Sequence, residues 1–196
     1  MDDEKYRSTK TDRFYPGRIS EERARQLLNF EVAVEDITVD DIIYMLSRSW
    51  TTTIYVFLGM IRERWGEEAA RESAEQYGYL LGQTAMRRWL RRLQTDTQTP
   101  ETMCMYQDLQ HALGGPNFAE NVTEYDDEKV VIRRTKCVFH TNRPRGMESY
   151  CEPIIDGYVR AYLELDKGLE GGERVACMCR GDDYCLNILK YRKRDR

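Results

Sequence analysis

The chain is short of the features that commit a sequence to a membrane, a nucleic acid or a secreted scaffold. None of its apolar runs approaches the roughly 18–20 residues a spanning helix needs. The longest, IYVFLGMI at 54–61, is interrupted by a glycine. The opening MDDEKYRSTK has no apolar stretch behind its charges, which argues against a secretory signal and for the cytoplasm. Neither sign of charge dominates: 30 basic and 34 acidic residues leave a formal net charge of −4. A nucleic-acid binder is more often basic overall. The local basic runs RRWLRR (87–92), RRTK (133–136) and YRKRDR (191–196) read as solvated faces and a terminal tail. Histidine is scarce, with only His111 and His140.

Cysteine is present in more than passing amount. There are six, and three of them fall in ERVACMCRGDDYCLNIL, residues 173–189. A chain of 196 residues buries enough surface to fold without disulfides. In the cytoplasm clustered cysteines are more often metal ligands or redox thiols than disulfides. A metal site, a reactive thiol and small buried apolar side chains remain the competing readings.

The punctuation of the chain divides it in two. Residues 1–18 are polar and form an arm ending at Pro16-Gly17. Residues 19–196 read as a single domain, with a helical half at 19–115, a second half at 116–190 and a basic tail at 191–196. Ser20 caps a short helix to about Phe30. Thr38 with Asp41 forms a capping-box pattern. Ile42, Ile43, Leu46, Trp50, Ile54, Phe57, Leu58, Ile61 and Trp65 then recur at helical spacing. Gly66 interrupts, and a second helix follows with Glu67 and Glu68 first and arginines last, matching the helix dipole. Its inner stripe is predicted to be Ala70, Ala74, Tyr77, Leu81, Ala85 and Trp89. Gly78 and Gly82, four apart, point to close packing against another helix. Thr99, Pro100 and Gly114-Gly115-Pro116 bracket a third helix. Residues 117–140 read as strand, Asp-Asp-Glu turn, strand, and SYCEPIIDGYVRAYLELDKG as a helix from Glu152 or Pro153 to Asp166. The last segment reads as a hairpin. The fold class is therefore α/β (α+β): an N-terminal helical layer followed by a ββαββ unit ending in a Cys-containing hairpin.

The hairpin sets a geometric condition. With a three-residue loop at Arg180-Gly181-Asp182, Cys177 stands opposite Cys185, with Cβ atoms about 4.5–5.5 Å apart. That separation suits a shared metal with bonds near 2.3 Å. A four-residue loop sends the two to opposite faces. Cys177 and Cys179 lie about 6.5–7 Å apart along a strand, and Cys179 has no assigned role. Cys151 opens a helix, where a thiol is expected to be acidified. Cys137 and His140 stand at C-x-x-H spacing. Asp156, five residues after Cys151, is rotated about 140° from it around a helix, so the two do not share a face. Asp156 as a solvated helix residue and His140 as a loop histidine are the plainer readings.

Four pieces in this order, ERWGEEAARESAEQYGYLLGQTAMRRWL, YDDEKVVIRRTKCVFHT, YCEPIIDGYVRAY and CRGDDYCLNIL, resemble the L-2-amino-thiazoline-4-carboxylic acid hydrolase family over roughly residues 50–190. The C-terminal half is also similar to the 4-vinyl-reductase-type small-molecule-binding domain, through Cys151, Cys177 and GDDYC ending in Cys185. The first resemblance implies hydrolysis of a C–N bond in a small cyclic amidine or amide. Cys137 or Cys151 is then nucleophile or ligand, and His140 or Asp156 is the acid/base. The second implies a non-catalytic binding domain with zinc on Cys151, Cys177 and Cys185. Its fourth ligand is a Glu three residues before the middle Cys. Here that slot is Arg174, with Glu173 beside it as the candidate. The hydrolase family commonly has Cys-Pro where this chain has Cys137-Val138. Zinc and iron both accept thiolates. A small-molecule partner and a homo-oligomer through the helical half are expected; nucleic acid and membrane are not.

Overall fold

The structure is a computed structural model that describes residues 38–114, 121–145, 147 and 149–193. The N-terminal arm and the helix expected at 20–30 lie outside the described residues.

Helix α1 (Val39–Trp65) begins as its sequence predicts. The Thr38 side chain accepts from the Asp41 amide, and the Thr38 amide donates to the Asp41 carboxylate at 2.8 Å. Hydrogen bonds from the Thr38 side chain and amide hold the Asp41 carboxyl below the usual carboxylate range. Gly66, at φ +91°, ends α1 and turns the chain directly into α2 (Glu67–Leu93). Helix α3 (Pro100–Gly114) follows, with Thr99 Oγ1 accepting from the Thr102 amide at 3.1 Å. Strands β1 (Asn121–Tyr125) and β2 (Lys129–Arg134) form a hairpin whose turn is held by Asp126, which accepts from the amides of Glu128 and Lys129. After the single turn α4 (Val138–Thr141) come α5 (Cys151–Leu165), β3 (Leu169–Ala176), a 3₁₀ turn (Met178–Arg180) and β4 (Cys185–Tyr191).

The fold is α+β, with the helical part first. The four strands form one antiparallel sheet in the order β1-β2-β4-β3. Tyr191, placed in the basic tail by composition, closes β4 and is buried. No helix among the described residues is long and apolar enough to cross a membrane.

The buried face of α1 differs from the predicted stripe. Ile54 and Leu58 are buried as the stripe predicts, but Leu46, Phe57 and Trp65 are 61–65% exposed, and Ser47, Thr51 and Tyr55 are buried in their place. The buried polar pair costs little: Thr51 Oγ1 donates back to the Ser47 carbonyl within the helix. Helix α2 buries Ala70, Ala74, Gly78, Gly82, Met86, Trp89 and Leu90. The glycines do what their spacing implied. A Cβ on Gly78 would lie 1.9 Å from the Ile154 carbonyl oxygen of α5, and one on Gly157 would lie 2.0 Å from the Glu75 oxygen of α2. The two helices meet backbone to backbone.

Two cores result. One gathers α1, the start of α2, α4, the start of α5 and the cysteine hairpin; the other joins the end of α2, α3 and the sheet. Beneath the second, the buried Asp166 carboxylate accepts from the Gln98 amide and side chain, the Gly168 amide and the Tyr191 hydroxyl, at 2.9–3.1 Å. It ties the α2–α3 connection to the end of α5 and to β4.

Gly78→Ala and Gly157→Ala are each expected to destabilise the protein by about 3 kcal/mol or more. The overpacking outweighs the roughly 1 kcal/mol that Ala gains in helix propensity. Chemical denaturation reads this out. A loss below about 1 kcal/mol in both would show that the helices do not meet this closely.

Candidate functional site

Five of the six cysteines converge. Cys137 precedes α4 at the exit of β2. Its carbonyl accepts from the amides of His140 and Thr141, which winds the single turn that follows. Cys151 is the first residue of α5. Ala176 pairs with Leu186 as the last rung of β3 and β4, so Cys177 and Cys185 stand next in that register. The loop between them is longer than a three-residue hairpin. It winds into the 3₁₀ turn and closes through Gly181 at φ +102°. The Asp182 carboxylate accepts from the Cys177 amide at 2.7 Å, and the Met178 amide donates to Cys185 Sγ at 3.3 Å.

That turn changes the role of Cys179. On a strand it would stand far from Cys177. Wound into the 3₁₀ turn, it brings its sulfur within 4.8 Å of those of both Cys151 and Cys177. Cys185 lies beside Cys177 and Cys137, and Cys137 beside Cys151. All except the half-buried Cys179 are buried, and all are free thiols. Cys104 sits apart on α3, near the Thr123 carbonyl.

The electrostatics are those of a shared-proton network. Hydrogen bonds from Cys151, and then from Cys185, hold the Cys137 thiol well below its ordinary range. Those from Cys151, Cys179 and Cys185 do the same for Cys177. Cys151 is correspondingly raised, chiefly by Cys137 and then by Cys177. The expectation that a helix N-terminus acidifies Cys151 is reversed, because its neighbours hold its proton. A tetrahedral ion with sulfur bonds of about 2.3 Å needs sulfurs about 3.8 Å apart. The Cys151, Cys177 and Cys179 group is close to that spacing, and Cys185 or Cys137 is adjacent for a fourth position. The donor set therefore suits zinc or iron.

The remaining candidates point elsewhere. Glu173 is exposed on β3 and pairs with Lys190 at 2.9 Å. Arg174 turns to the α5 side, where it meets Asp156 at 2.8 Å and Glu152 at 3.4 Å; Arg180 also pairs with Glu152. Asp156 thus latches β3 to α5, with 63% of its side chain exposed. His140 is exposed on α4. The fold brings Cys137, Cys151, Cys177 and Cys185 together but leaves Glu173, Asp156 and His140 outside the cluster. Cys179 is the ligand candidate that the sequence reading missed. The signal available was the Cys-x-Cys spacing ahead of a Gly-Asp turn, which permits a helical turn as well as a strand.

Beside the cluster lies a cavity of about 750 Å³, between the two cores. Trp50, Trp89, Tyr106, Phe139, Tyr158 and Tyr162 supply its aromatic wall, and Cys137 lines it too. The size is that of a small-molecule site. The Tyr55 hydroxyl, with a burial-raised pKa, donates to the Phe139 carbonyl at 2.8 Å and fixes α4 against α1.

No family model and no curated protein matches the chain. Among solved structures, it is similar to subunit 3 of a trafficking protein particle complex from Naegleria fowleri, solved covalently bound to palmitic acid. The identity is 15% and the TM-score 0.45, over 78% of this chain and 98% of that one. At that level neither fold nor function carries over.

Tyr55→Phe leaves the buried Phe139 carbonyl without that donor and is expected to cost about 1–3 kcal/mol in denaturant unfolding. A cost near zero would mean that the hydroxyl does not hold α4.

Proposed function

We propose that the protein is a small-molecule-binding domain whose cavity is braced by a structural thiolate-bound metal. The observation that carries this reading is Cys137, which belongs at once to the wall of the apolar cavity and to the five-thiol cluster. A bound zinc or iron would cross-link β2, the start of α5 and the β3–β4 turn. Cys151, Cys177 and Cys179, with Cys185 or Cys137, would hold it. In the zinc case the metal supplies no redox chemistry, only a closed tetrahedral staple. The similarity of Cys151, Cys177 and Cys185 to the 4-vinyl-reductase-type domain supports the same reading, with Cys179 or Cys137 replacing the carboxylate ligand that Arg174 displaces. Reduced, buried thiols fit the cytoplasm. The exposed Met45, Val56, Phe57 and Met60 of α1 support a homo-oligomer through the helical half.

A second reading is hydrolysis of a C–N bond in a small cyclic amidine or amide. It is supported by Cys137, a buried thiol held below its ordinary range at the cavity wall. The Cys137 thiolate would add to the sp² carbon, a neighbouring thiol would protonate the nitrogen as the C–N bond breaks, and water would then cleave the C–S bond and free Cys137. His140 and Asp156 do not line the cavity, which weighs against this reading.

Protein purified without oxygen or chelator is expected to carry about one zinc or iron per chain by elemental mass spectrometry. Cys151→Ser and Cys177→Ser should lose it and Cys104→Ser should keep it. Because the ligands bind metal only as thiolates, uptake releases protons and affinity rises with pH. Wild type free of metal would overturn the staple. Turnover of 2-aminothiazoline-4-carboxylate that Cys137→Ser abolishes would favour the hydrolase.

A further inference from the structure

The cavity wall carries a charge pattern that the proposed binding role does not use. Its lining includes Arg88, Arg92 and Arg134 and, among the described residues, contains no aspartate, glutamate or histidine. In a chain with more acidic than basic residues, this wall reverses the overall balance. Arg88 and Arg92 are one turn apart on α2, so their side chains project from the same face. Both are exposed, and neither meets a carboxylate among the described residues. Arg134, on β2, is half-buried and donates to the Gln107 side-chain oxygen at 3.5 Å.

Three of the wall's aromatic side chains already have partners for their polar ends. The Trp89 indole N–H donates to Gln98 at 2.7 Å, and the Tyr162 hydroxyl donates to that of Tyr106 at 3.3 Å. Their rings therefore present apolar surface while their polar ends are answered within the protein. A ligand that matches this wall has an apolar body against the aromatics and an oxyanion against the guanidiniums. Arginine forks suit carboxylates and phosphates through paired hydrogen bonds.

We infer that the cavity takes an anionic amphiphile: an apolar body joined to a carboxylate or phosphate held by Arg88 and Arg92. This inference rests on the ligand-binding reading and names the ligand's class. A neutral ligand of the same shape would fill the aromatic wall but leave the cationic rim unanswered. An acidic headgroup is drawn in by charge, so discrimination should weaken as salt rises.

The test is displacement of the neutral fluorophore N-phenyl-1-naphthylamine from the full-length chain. Competitors are dodecanoate, dodecyl phosphate and dodecan-1-ol, each tried on wild type and on the Arg88→Gln/Arg92→Gln variant. Dodecanoate or dodecyl phosphate is expected to displace the probe about tenfold more tightly than the alcohol, a margin set by charge-assisted hydrogen bonds. The better of the two identifies the headgroup. The double variant should bind the probe and dodecan-1-ol as wild type does and lose the tenfold margin. Equal displacement by all three competitors in wild type, or an intact margin in the variant, overturns the charge inference while the cavity reading stands. A wild-type chain that does not take up the probe overturns both.

Discussion

The close approach of α2 and α5 is the constraint on which the rest of the molecule depends. Gly78 and Gly157 each face the other helix's backbone with no room for a Cβ. Two helices that touch at this distance cannot slide or rotate independently, since ridges and grooves give way to direct backbone contact. Helix α5 is then fixed along its length. Its first residue, Cys151, is set against the hairpin, and its end at Asp166 is anchored by Gln98 and Tyr191. The Arg174 latch to Glu152 and Asp156 holds the outer side of the same helix to β3.

With α5 fixed, the thiols meet from three separate segments. Cys137 arrives from the end of β2, Cys151 from the start of α5, and Cys177, Cys179 and Cys185 from the last turn. The five thiols share protons through hydrogen bonds, and Cys137 and Cys177 are held low by their neighbours. The arrangement favours thiolate ligation, because loading an ion replaces those shared protons with one centre of positive charge. The Cys137 side chain touches both the cluster and the cavity. Occupancy of one site is therefore physically adjacent to the state of the other.

The cavity exists because the two cores are not continuous. The first is built around the cysteines and α1; the second around Trp89, Tyr106, Tyr162 and the sheet. Leu46 and Trp50, poorly buried residues of α1, line the gap rather than filling it. That explains why the predicted apolar stripe of α1 and its buried face differ. Part of the stripe faces the cavity, and Ser47 and Thr51 can be buried because helical carbonyls satisfy them.

The local elements were legible in the chain because their causes are local. The Thr38–Asp41 box, the break at Gly66, the Thr99-Pro100 start and the Asp126 turn each depend on residues within one turn of one another. The α+β order, with helices first and ββαββ second, followed from those signals. Cys177 and Cys185 do come together, but through a loop longer than the three-residue hairpin that the pairing assumed. The 3₁₀ turn that recruits Cys179, the reversal at Cys151, the diversion of Glu173 to Lys190 and of Asp156 to Arg174, and the cavity itself were decided by tertiary structure alone. Each depends on which surfaces meet across long stretches of chain. Residue type and spacing state what a side chain can do; only packing determines which partners it has.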